Sequence, residues 1–428
     1  MSTGQDILSQ RLYSALDRRR TEGRLYVPAS PEEVSGTVDF GSNDTLGLSS
    51  SGILTQAFLH QLERHPNFTV GCTTTRVFEG NRQYIVDIER DLAQFHGADD
   101  ALFFPSGYDA NMALWSSITN DKDFVVFDEL VHSSIREGMK LGRAKSVPFR
   151  HNDCFSLQRV LEDVRDNNAE IAEGQNLVFI PLESIYSMDG DTAPLPEIIR
   201  VVYETLPRGN YVLSIDEAHS NGIIGPHGSG MICQYGLERE FPLRLHTCGK
   251  ALGSAGAVIL CNETIKQGLI NYARNFIFTT GPTFVSVAAV RAGYEMVLSE
   301  EGQERRSRLE QNVWYFYWTL TRHPQWEDIK RRGILYVPTE KTWYTNPIKS
   351  PIIPIVTQPG HANNLCERLR QAKYWVNAVE FPSVPPEKGR VRLMVHADNT
   401  REQMDGVIQV IMRWAVERAE PGEVMAKM

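Results

Sequence analysis

Two polar segments in the middle of the chain carry residue types that are used in covalent catalysis. The sequence DEAH at residues 216–219 follows the apolar run 211–215, and Lys250 lies farther on, between Gly249 and Ala251. An aspartate at the end of a strand can simply cap a turn, and DEAH is also typical of helicase-type nucleoside triphosphatases. Those enzymes need an upstream G-x-x-x-x-G-K-[ST] loop that binds phosphates. The chain has no such loop, so the sequence argues against that class.

The surroundings of Lys250 indicate an amine that is used chemically. Loss of hydration in an apolar, glycine-flanked segment lowers the pKa of a lysine and makes its neutral amine available. Enzymes that use pyridoxal 5'-phosphate (PLP) need such a lysine for a Schiff base, and they need a carboxylate that keeps the pyridine nitrogen protonated. Lys250 together with Asp216 therefore predicts a PLP site.

Short apolar runs separated by helix-length segments must position these residues. The runs are almost continuously apolar, as expected of strands covered on both faces, and they lie at 101–104, 124–127, 177–180, 211–215 and 257–260. Helices are predicted between them, for example at 156–166 and 195–205. This alternation predicts an α/β fold with a mostly parallel sheet flanked by helices. Ligands of such sheets bind at the carboxyl ends of the strands, a rule that selects Ser106, Gly107, Tyr108, His132, Ser187, Asp216 and Lys250.

The flanking segments predict two further regions around this large domain. Residues 1–55 are predicted to hold an amphipathic helix at 7–20 and an extended segment, and residues 56–285 form the large α/β domain. Residues 286–428 predict a smaller C-terminal α+β domain. Its predicted elements are a long helix from 285 to 300 and onward, and strands at 352–356, 375–379 and 390–395.

Composition excludes several classes of partner. The net charge of −9 argues against a nucleic-acid backbone as ligand, and no run reaches the roughly 18 to 20 apolar residues that a membrane span needs. The six cysteines show neither metal-ligand spacing nor a disulfide pattern, so no metal and a reducing compartment are expected. The ending Ala426-Lys427-Met428 is similar to the peroxisomal Ser-Lys-Leu address. We therefore expect a peroxisomal location, and otherwise a cytoplasmic one.

Beyond these patterns, the chain resembles the α-oxoamine synthase family of fold-type I PLP enzymes. The matching stretches occur in order at residues 40–48, 106–111, 132–134, 151–153, 187–195, 216–219, 247–250, 278–280 and 389–392. The resemblance covers most of the chain, and it implies a fold-type I PLP-dependent transferase.

The resemblance implies roles for individual residues around the cofactor. Lys250 would carry PLP and later move the substrate Cα proton, Asp216 would pair with the pyridine nitrogen, and His219 would bind the phenolic oxygen. His132 would stack on the ring. Cofactor contacts are further implied for Ser106, Gly107, Tyr108, Ser187 and Thr247. Thr279 and Thr280 would reach the phosphate bound by the neighbouring subunit, which implies a homodimer with shared active sites.

The resemblance also implies residues that bind the substrates. Arg392 would hold the carboxylate of the amino acid, where a guanidinium fork suits bidentate pairing. The other implied substrate contacts are Arg24, Asn43 and Ser383. For Arg24 the match requires a gap, and Arg20 is an alternative.

The implied reaction is the decarboxylative condensation of an amino acid with an acyl-CoA thioester. L-Alanine and pimeloyl-CoA, the pair used on the route to biotin, are favoured. Serine- or glycine-using members, an enzyme of specialised metabolism with a longer acyl chain, and a non-catalytic scaffold subunit remain alternatives. Thr45 and the stretch 71–76 depart from the family pattern near the acyl entrance, which leaves the acyl donor open. The presence of Lys250 argues against the scaffold subunit.

Overall fold

The computed structural model describes residues 3–419. The chain divides into two compact units, one up to Val38 and one from Asp39 onward. The predicted division at residues 55 and 285 stays a prediction, and the C-terminal tripeptide 426–428 lies outside the described residues.

The N-terminal unit contains two helices with well-formed caps. Helix α1 (Gly4–Thr21) begins with a reciprocal capping box between Thr3 and Asp6, and α2 (Pro31–Val34) begins with the same device. Neither helix has a buried residue. Strand β1 (Val38–Asp39) follows at the boundary of the two units.

Within residues 39–419, seven strands form the central sheet, in the order β2-β8-β7-β6-β5-β3-β4. Their bounds are β2 (Asp100–Phe104), β3 (Phe124–Asp128), β4 (Lys145–Phe149), β5 (Val178–Glu183), β6 (Tyr211–Asp216), β7 (Leu243–Thr247) and β8 (Ala257–Cys261). Strand β8 runs antiparallel to both of its neighbours, and all other neighbouring pairs are parallel. The predicted mostly parallel sheet is confirmed, and five of its strands match the apolar runs of the sequence.

Helices cover this sheet and connect its strands. They are α3 (Ile53–Arg64), α4 (Gln83–Phe95), α5 (Gly107–Ser117), α6 (Ser133–Leu141), α7 (Cys154–Asp166), α8 (Ala169–Ala172), α9 (Leu195–Thr205), α10 (Met231–Tyr235), α11 (Glu263–Tyr272), α12 (Arg274–Ile277) and α13 (Phe284–Leu298). Helix α9 shows why they pack on the sheet, because its buried residues Leu195, Ile198, Val201 and Val202 recur at helical spacing. All six residues of β5 are buried, as expected of a strand covered on both faces.

A second sheet of four strands, in the order β12-β13-β10-β9, lies in the C-terminal part of the described chain. The elements there are α14 (Glu300–Thr321), α15 (Trp326–Arg331), β9 (Leu335–Tyr336), α16 (Glu340–Trp343), β10 (Ile352–Thr357), α17 (Ala362–Gln371), β11 (Tyr374–Trp375), β12 (Asn377–Val379), β13 (Arg390–Met394) and α18 (Arg401–Ala419). Two predicted elements are divided. The long helix breaks where Ser299 caps α14 by accepting from the Gly302 amide, and the strand at 375–379 splits into β11 and β12.

None of the helices within residues 3–419 combines the length and the hydrophobicity that crossing a lipid bilayer requires.

Candidate active site

The carboxyl edge of the central sheet collects most of the residues that the sequence selected. Strand β6 ends at Asp216, β7 ends at Thr247 just before Lys250, and α5 begins at Gly107 soon after β2. These elements enclose a cavity of about 130 Å³. Its lining comprises Gly107, Tyr108, Asn111, His132, Ser134, Glu183, Ser187, Asp216, Ala218, Leu245, Thr247 and Lys250.

The amine of Lys250 is held inside this cavity next to His219. Its Nζ lies 2.8 Å from Nε2 of His219, whose ring is buried. Burial lowers the pKa of Lys250 to about 8, although the charge of Asp216 opposes this effect. Burial and the neighbouring amine also lower the pKa of His219 well below its ordinary value. The cavity therefore offers a lysine that readily becomes a neutral nucleophile near pH 8.

The carboxylate of Asp216 is buried and fixed by two donors. The side-chain amide of Asn111 donates to Oδ2 at 2.9 Å, and the main-chain N–H of Ala218 donates to Oδ1 at 2.9 Å. Asp216 therefore lines the cavity in a single orientation.

His132 presents its ring to the cavity from the start of α6. Its main-chain N–H donates to the carboxylate of Glu183, and its Nδ1 lies 2.7 Å from Oγ of Ser134. The residue is exposed and lines the cavity, while loss of hydration lowers its pKa. A flat ring in the wall of a cavity is suited to stacking on a planar ligand.

The first turn of α5 forms an anion-binding corner of the cavity. Ser106 caps the helix by accepting from the Asp109 amide at 3.1 Å. Among residues 3–419, no acceptor hydrogen-bonds the amides of Gly107 and Tyr108. A Cβ at position 107 would approach Cβ of Thr247 to 3.2 Å, so a glycine keeps this corner open. Open amides at a helix N-terminus bind phosphate.

Arg392 and Asn43, which the sequence selected as substrate contacts, lie together. Nη2 of Arg392 donates to Oδ1 of Asn43 at 3.3 Å, and Nε donates to the carbonyl of Ser187 at 2.6 Å. Burial lowers the pKa of Arg392 to about 10. Within the described chain no carboxylate pairs with it, whereas its strand neighbour Arg390 is paired with Asp189. The guanidinium of Arg392 is therefore available to a carboxylate ligand.

His151 stabilises the loop after β5, which contains Ser187. It donates to Asp128 at 2.9 Å and to Asp191 at 2.8 Å. Burial acts to lower the pKa of His151, but these two carboxylates raise it to about 10. The resulting cation between two anions links the end of β3 to the loop after β5.

Eight of the predicted contacts do not line the 130 Å³ cavity. Four of these are linked to its lining: Ser106 precedes Gly107, His219 contacts Lys250, and Asn43 contacts Arg392, which donates to Ser187. The other four are Thr279, Thr280, Ser383 and Arg24. Thr279 and Thr280 are exposed residues after α12. Ser383 lines an adjacent cavity of about 560 Å³, which shares His132 and Ser187 with the first. Arg24 lies in the N-terminal unit, where it pairs with Glu22. The substrate role of Arg24 therefore stays a prediction.

Sequence reasoning missed three polar side chains of the cavity, which belong to Glu183, Asn111 and Ser134. Glu183 ends β5 and is in register with Asp216 of β6, and burial raises its pKa to about 8. The predicted strand ended at residue 180, before Pro181, so its polar end was overlooked. Asn111 and Ser134 lay within recognised motifs, but only the packing of α5 on α6 brings them together.

The residues of the cavity fit PLP by their chemistry. They supply a lysine with a lowered pKa, a buried carboxylate, a ring for stacking and a helix N-terminus for phosphate. The fold and the cavity together define a PLP-dependent enzyme of fold type I.

Comparison with known proteins agrees with this class. The model of the family "Aminotransferase class I and II" matches residues 35–411. The aminoacyl transferase sphA of Aspergillus fumigatus is 38% identical over 95% of this chain and 87% of its own length. The 8-amino-7-oxononanoate synthase of Emericella nidulans is 38% identical over 92% of this chain and 93% of its own length. A solved structure of serine palmitoyltransferase from S. paucimobilis has the same fold, with a TM-score of 0.78 at 24% identity, covering 96% of this chain and 99% of the other.

The chain belongs to the aminotransferase class I and II family, and within it to the α-oxoamine synthases. It is accordingly a PLP-dependent acyltransferase.

Proposed function

We propose that this enzyme condenses L-alanine with pimeloyl-CoA to give 8-amino-7-oxononanoate, CoA and carbon dioxide, as in biotin biosynthesis. The observation that carries the reaction type is the unpaired guanidinium of Arg392, which reaches the cofactor cavity through Ser187. An amino acid held there by its carboxylate is proposed to lie beside Lys250, because, besides burial, the charge of Arg392 helps to lower the pKa of this lysine. The similarity to the synthase of Emericella nidulans supports the choice of substrates.

The residues of the cavity divide the chemistry between them. Arg392 would bind the substrate carboxylate, and the neutral amine of Lys250 would take the Cα proton. Its neighbour His219, 2.8 Å away, orients the amine. When bound, the cofactor supplies an electron sink that stabilises the negative charge left at Cα. A new bond then forms between Cα and the thioester carbonyl carbon while the C–S bond breaks and CoA leaves as the thiolate. The C–carboxylate bond breaks next and releases carbon dioxide, and Lys250 returns its proton to the electron pair left at Cα.

The acyl donor is proposed to enter through the larger cavity. This cavity of about 560 Å³ adjoins the cofactor cavity at His132 and Ser187, and Ser383 lies in its wall. Its connection to the site supports a route for the acyl chain.

A second candidate function is the same type of condensation with a different acyl donor. It corresponds to the alternative of an enzyme of specialised metabolism that uses a longer acyl chain. The relative sphA is as similar as the synthase from Emericella nidulans, and it is named an aminoacyl transferase. The stretch 71–76 and Thr45 depart from the family pattern near the acyl entrance, which also favours a different donor.

An assay of all combinations of amino acid and acyl donor distinguishes these two candidate functions. The PLP-loaded enzyme is given L-alanine, L-serine or glycine, each with pimeloyl-CoA or a long-chain acyl-CoA, and free CoA and product mass are measured. The proposal expects the fastest CoA release from L-alanine with pimeloyl-CoA, with the mass of 8-amino-7-oxononanoate. Release only with another pair would replace the named substrates and leave the family unchanged.

Substitution of Arg392 should affect binding of the amino acid far more than binding of PLP. Arg392→Leu removes a charge-assisted pair worth about 1.5–3 kcal/mol, so kcat/KM for the amino acid should fall roughly 10- to 150-fold. The fall should come mainly from KM, measured by steady-state kinetics. The exposed Arg413 provides the control, and Arg413→Gln should behave as wild type. An unchanged KM in Arg392→Leu would remove Arg392 from the substrate site.

The homodimer is supported by an exposed apolar patch beside the cavity. Its members are Val70, Val77, Phe78, Tyr108, Tyr272 and Phe278. Hydrogen bonds link the segments that carry them, including Gly281 N–H to the Thr74 carbonyl at 2.9 Å and Asn275 to the Asp109 carbonyl at 2.8 Å. Such patches mark contact surfaces, and a second copy seated here would bring Thr279 and Thr280 to a shared site. Sedimentation should give twice the chain mass, and a particle near 48.4 kDa would contradict the dimer.

A further inference from the structure

A chain of hydrogen bonds inside the protein links two walls of the cofactor cavity. Nδ2 of Asn111 donates to Oδ2 of Asp216 and to Oγ of Ser134, both at 2.9 Å. Oγ of Ser134 lies 2.7 Å from Nδ1 of His132. Asn111 is 2% exposed and Ser134 is fully buried, so no water competes for these bonds.

The donors and acceptors in this chain can be assigned from chemistry alone. A carboxylate only accepts, so the NH₂ group of Asn111 must face Asp216, and its second proton then points to Ser134. Because Nδ1 of His132 accepts from a main-chain N–H, an oxygen 2.7 Å from the same Nδ1 must donate to it, so the hydroxyl proton of Ser134 is directed at Nδ1. The main-chain N–H of Ser134 also donates to this Nδ1, at 3.3 Å. Nδ1 is therefore an acceptor, and the ring proton of His132 resides on Nε2.

We infer that Asn111 is a positioning residue that fixes the Asp216 carboxylate and, through Ser134, holds His132 in its neutral Nε2-protonated form. This inference rests on the roles proposed above for Asp216 and His132, and it does not depend on the identity of the acyl donor. A second proton on His132 would set an Nδ1–H against the hydroxyl proton of Ser134. The network thus resists protonation of the ring that is expected to stack on the cofactor.

Two substitutions separate the arms of the network. Asn111→Leu keeps the size of the side chain and removes both donors, whereas Ser134→Ala cuts only the branch to His132. Loss of a residue that orients a metal ligand typically costs 10- to 100-fold in metal affinity or activity, and Asn111 orients Asp216 in the same way. We expect about this loss of PLP affinity in the Asn111→Leu apoprotein and less than about a threefold loss in Ser134→Ala. PLP affinity is measured by fluorescence titration, without any acyl substrate.

The state of His132 gives a readout that a space-filling role would not change. In protein labelled with ¹⁵N-histidine, the wild-type ring should show the neutral Nε2–H pattern, assigned by comparison with His132→Gln. Ser134→Ala leaves only the main-chain N–H at 3.3 Å as a donor to Nδ1, so the Nε2–H pattern should weaken, the ring should titrate at higher pH, and the acid limb of the kcat/KM profile should move upward. Asn111→Leu keeps the Ser134 hydroxyl but frees it to rotate, so it should shift both readouts in the same direction by a smaller amount. Ser116 bonds only carbonyls of its own helix, so Ser116→Ala is the matched control and should leave both readouts unchanged.

The outcomes decide the inference independently of the proposed reaction. Wild-type PLP affinity in a folded Asn111→Leu, or an unchanged His132 pattern in Ser134→Ala, would reduce Asn111 to a packing residue. If Asn111→Leu fails to fold by circular dichroism, the Ser134→Ala spectrum alone decides. Failure of the proposed function would appear instead as normal network readouts with no CoA release from pimeloyl-CoA.

Discussion

Lys250→Ala should lose condensation activity by at least about 10³-fold, within the range that removal of a covalent catalytic group costs other enzymes. The side chain is expected both to carry the cofactor and to move the Cα proton, and among residues 3–419 no other lysine lines the cavity. The visible absorbance of the protein-bound cofactor should shift to that of free PLP. Lys250→Arg should fail equally, because a guanidinium stays protonated and cannot act as a nucleophile.

The same residue predicts a pH dependence. Only the neutral amine captures the cofactor, and burial lowers the pKa of Lys250 to about 8. The rate at which apoprotein takes up PLP should therefore rise as pH increases through about 8 and then level off, as followed by absorbance.

The exposed Lys341 provides the control for both predictions, since Lys341→Ala should keep both activity and uptake. Full activity in Lys250→Ala would reject the assignment.

Asp216→Asn should lower kcat by roughly 10²- to 10³-fold, the usual cost of removing one preorganised electrostatic partner. The amide keeps the shape of the side chain but lacks the charge that is expected to keep the pyridine nitrogen protonated. Lys250 remains in place, so the variant should still bind the cofactor covalently. Steady-state kinetics and the visible spectrum measure the two effects separately.

The matched control is an aspartate that does not line the cavity. Asp121 is exposed in a turn before β3, and Asp121→Asn should leave kcat unchanged. If Asp216→Asn turned over at the wild-type rate, the carboxylate would have a structural role only, and another group would have to serve the pyridine nitrogen.

Much of the sheet and most of its polar edge could be predicted from sequence. Strands β5, β6 and β8 are nearly continuous apolar runs, because both of their faces are covered. Once β6 is placed, the rule that ligands bind at carboxyl ends leads directly to Asp216. Lys250 follows β7, and its apolar, glycine-flanked surroundings indicated its role instead. Strands β4 and β7 were not predicted from the sequence, for opposite reasons. Strand β4 is an edge strand with exposed residues, and β7 buries Arg244 and His246, which break the apolar pattern.

The network around His132 could not be predicted, because it depends on distances between elements. Asn111 and Asp216 are more than a hundred positions apart, and only packing of α5 against the sheet brings their side chains to 2.9 Å. Glu183 joins the cavity because β5 continues through Pro181 for two more residues. Motifs indicated which residues carry the chemistry, while register and packing determine which residues hold them in place.

The most direct test of the account is to trap the cofactor on the protein. PLP-loaded enzyme is reduced with borohydride, which converts a lysine–cofactor linkage to a stable amine, and the digest is sequenced by mass spectrometry. The account predicts one modified peptide, with the added mass on Lys250. Modification of a different lysine, or no modified peptide from protein saturated with PLP, would contradict it.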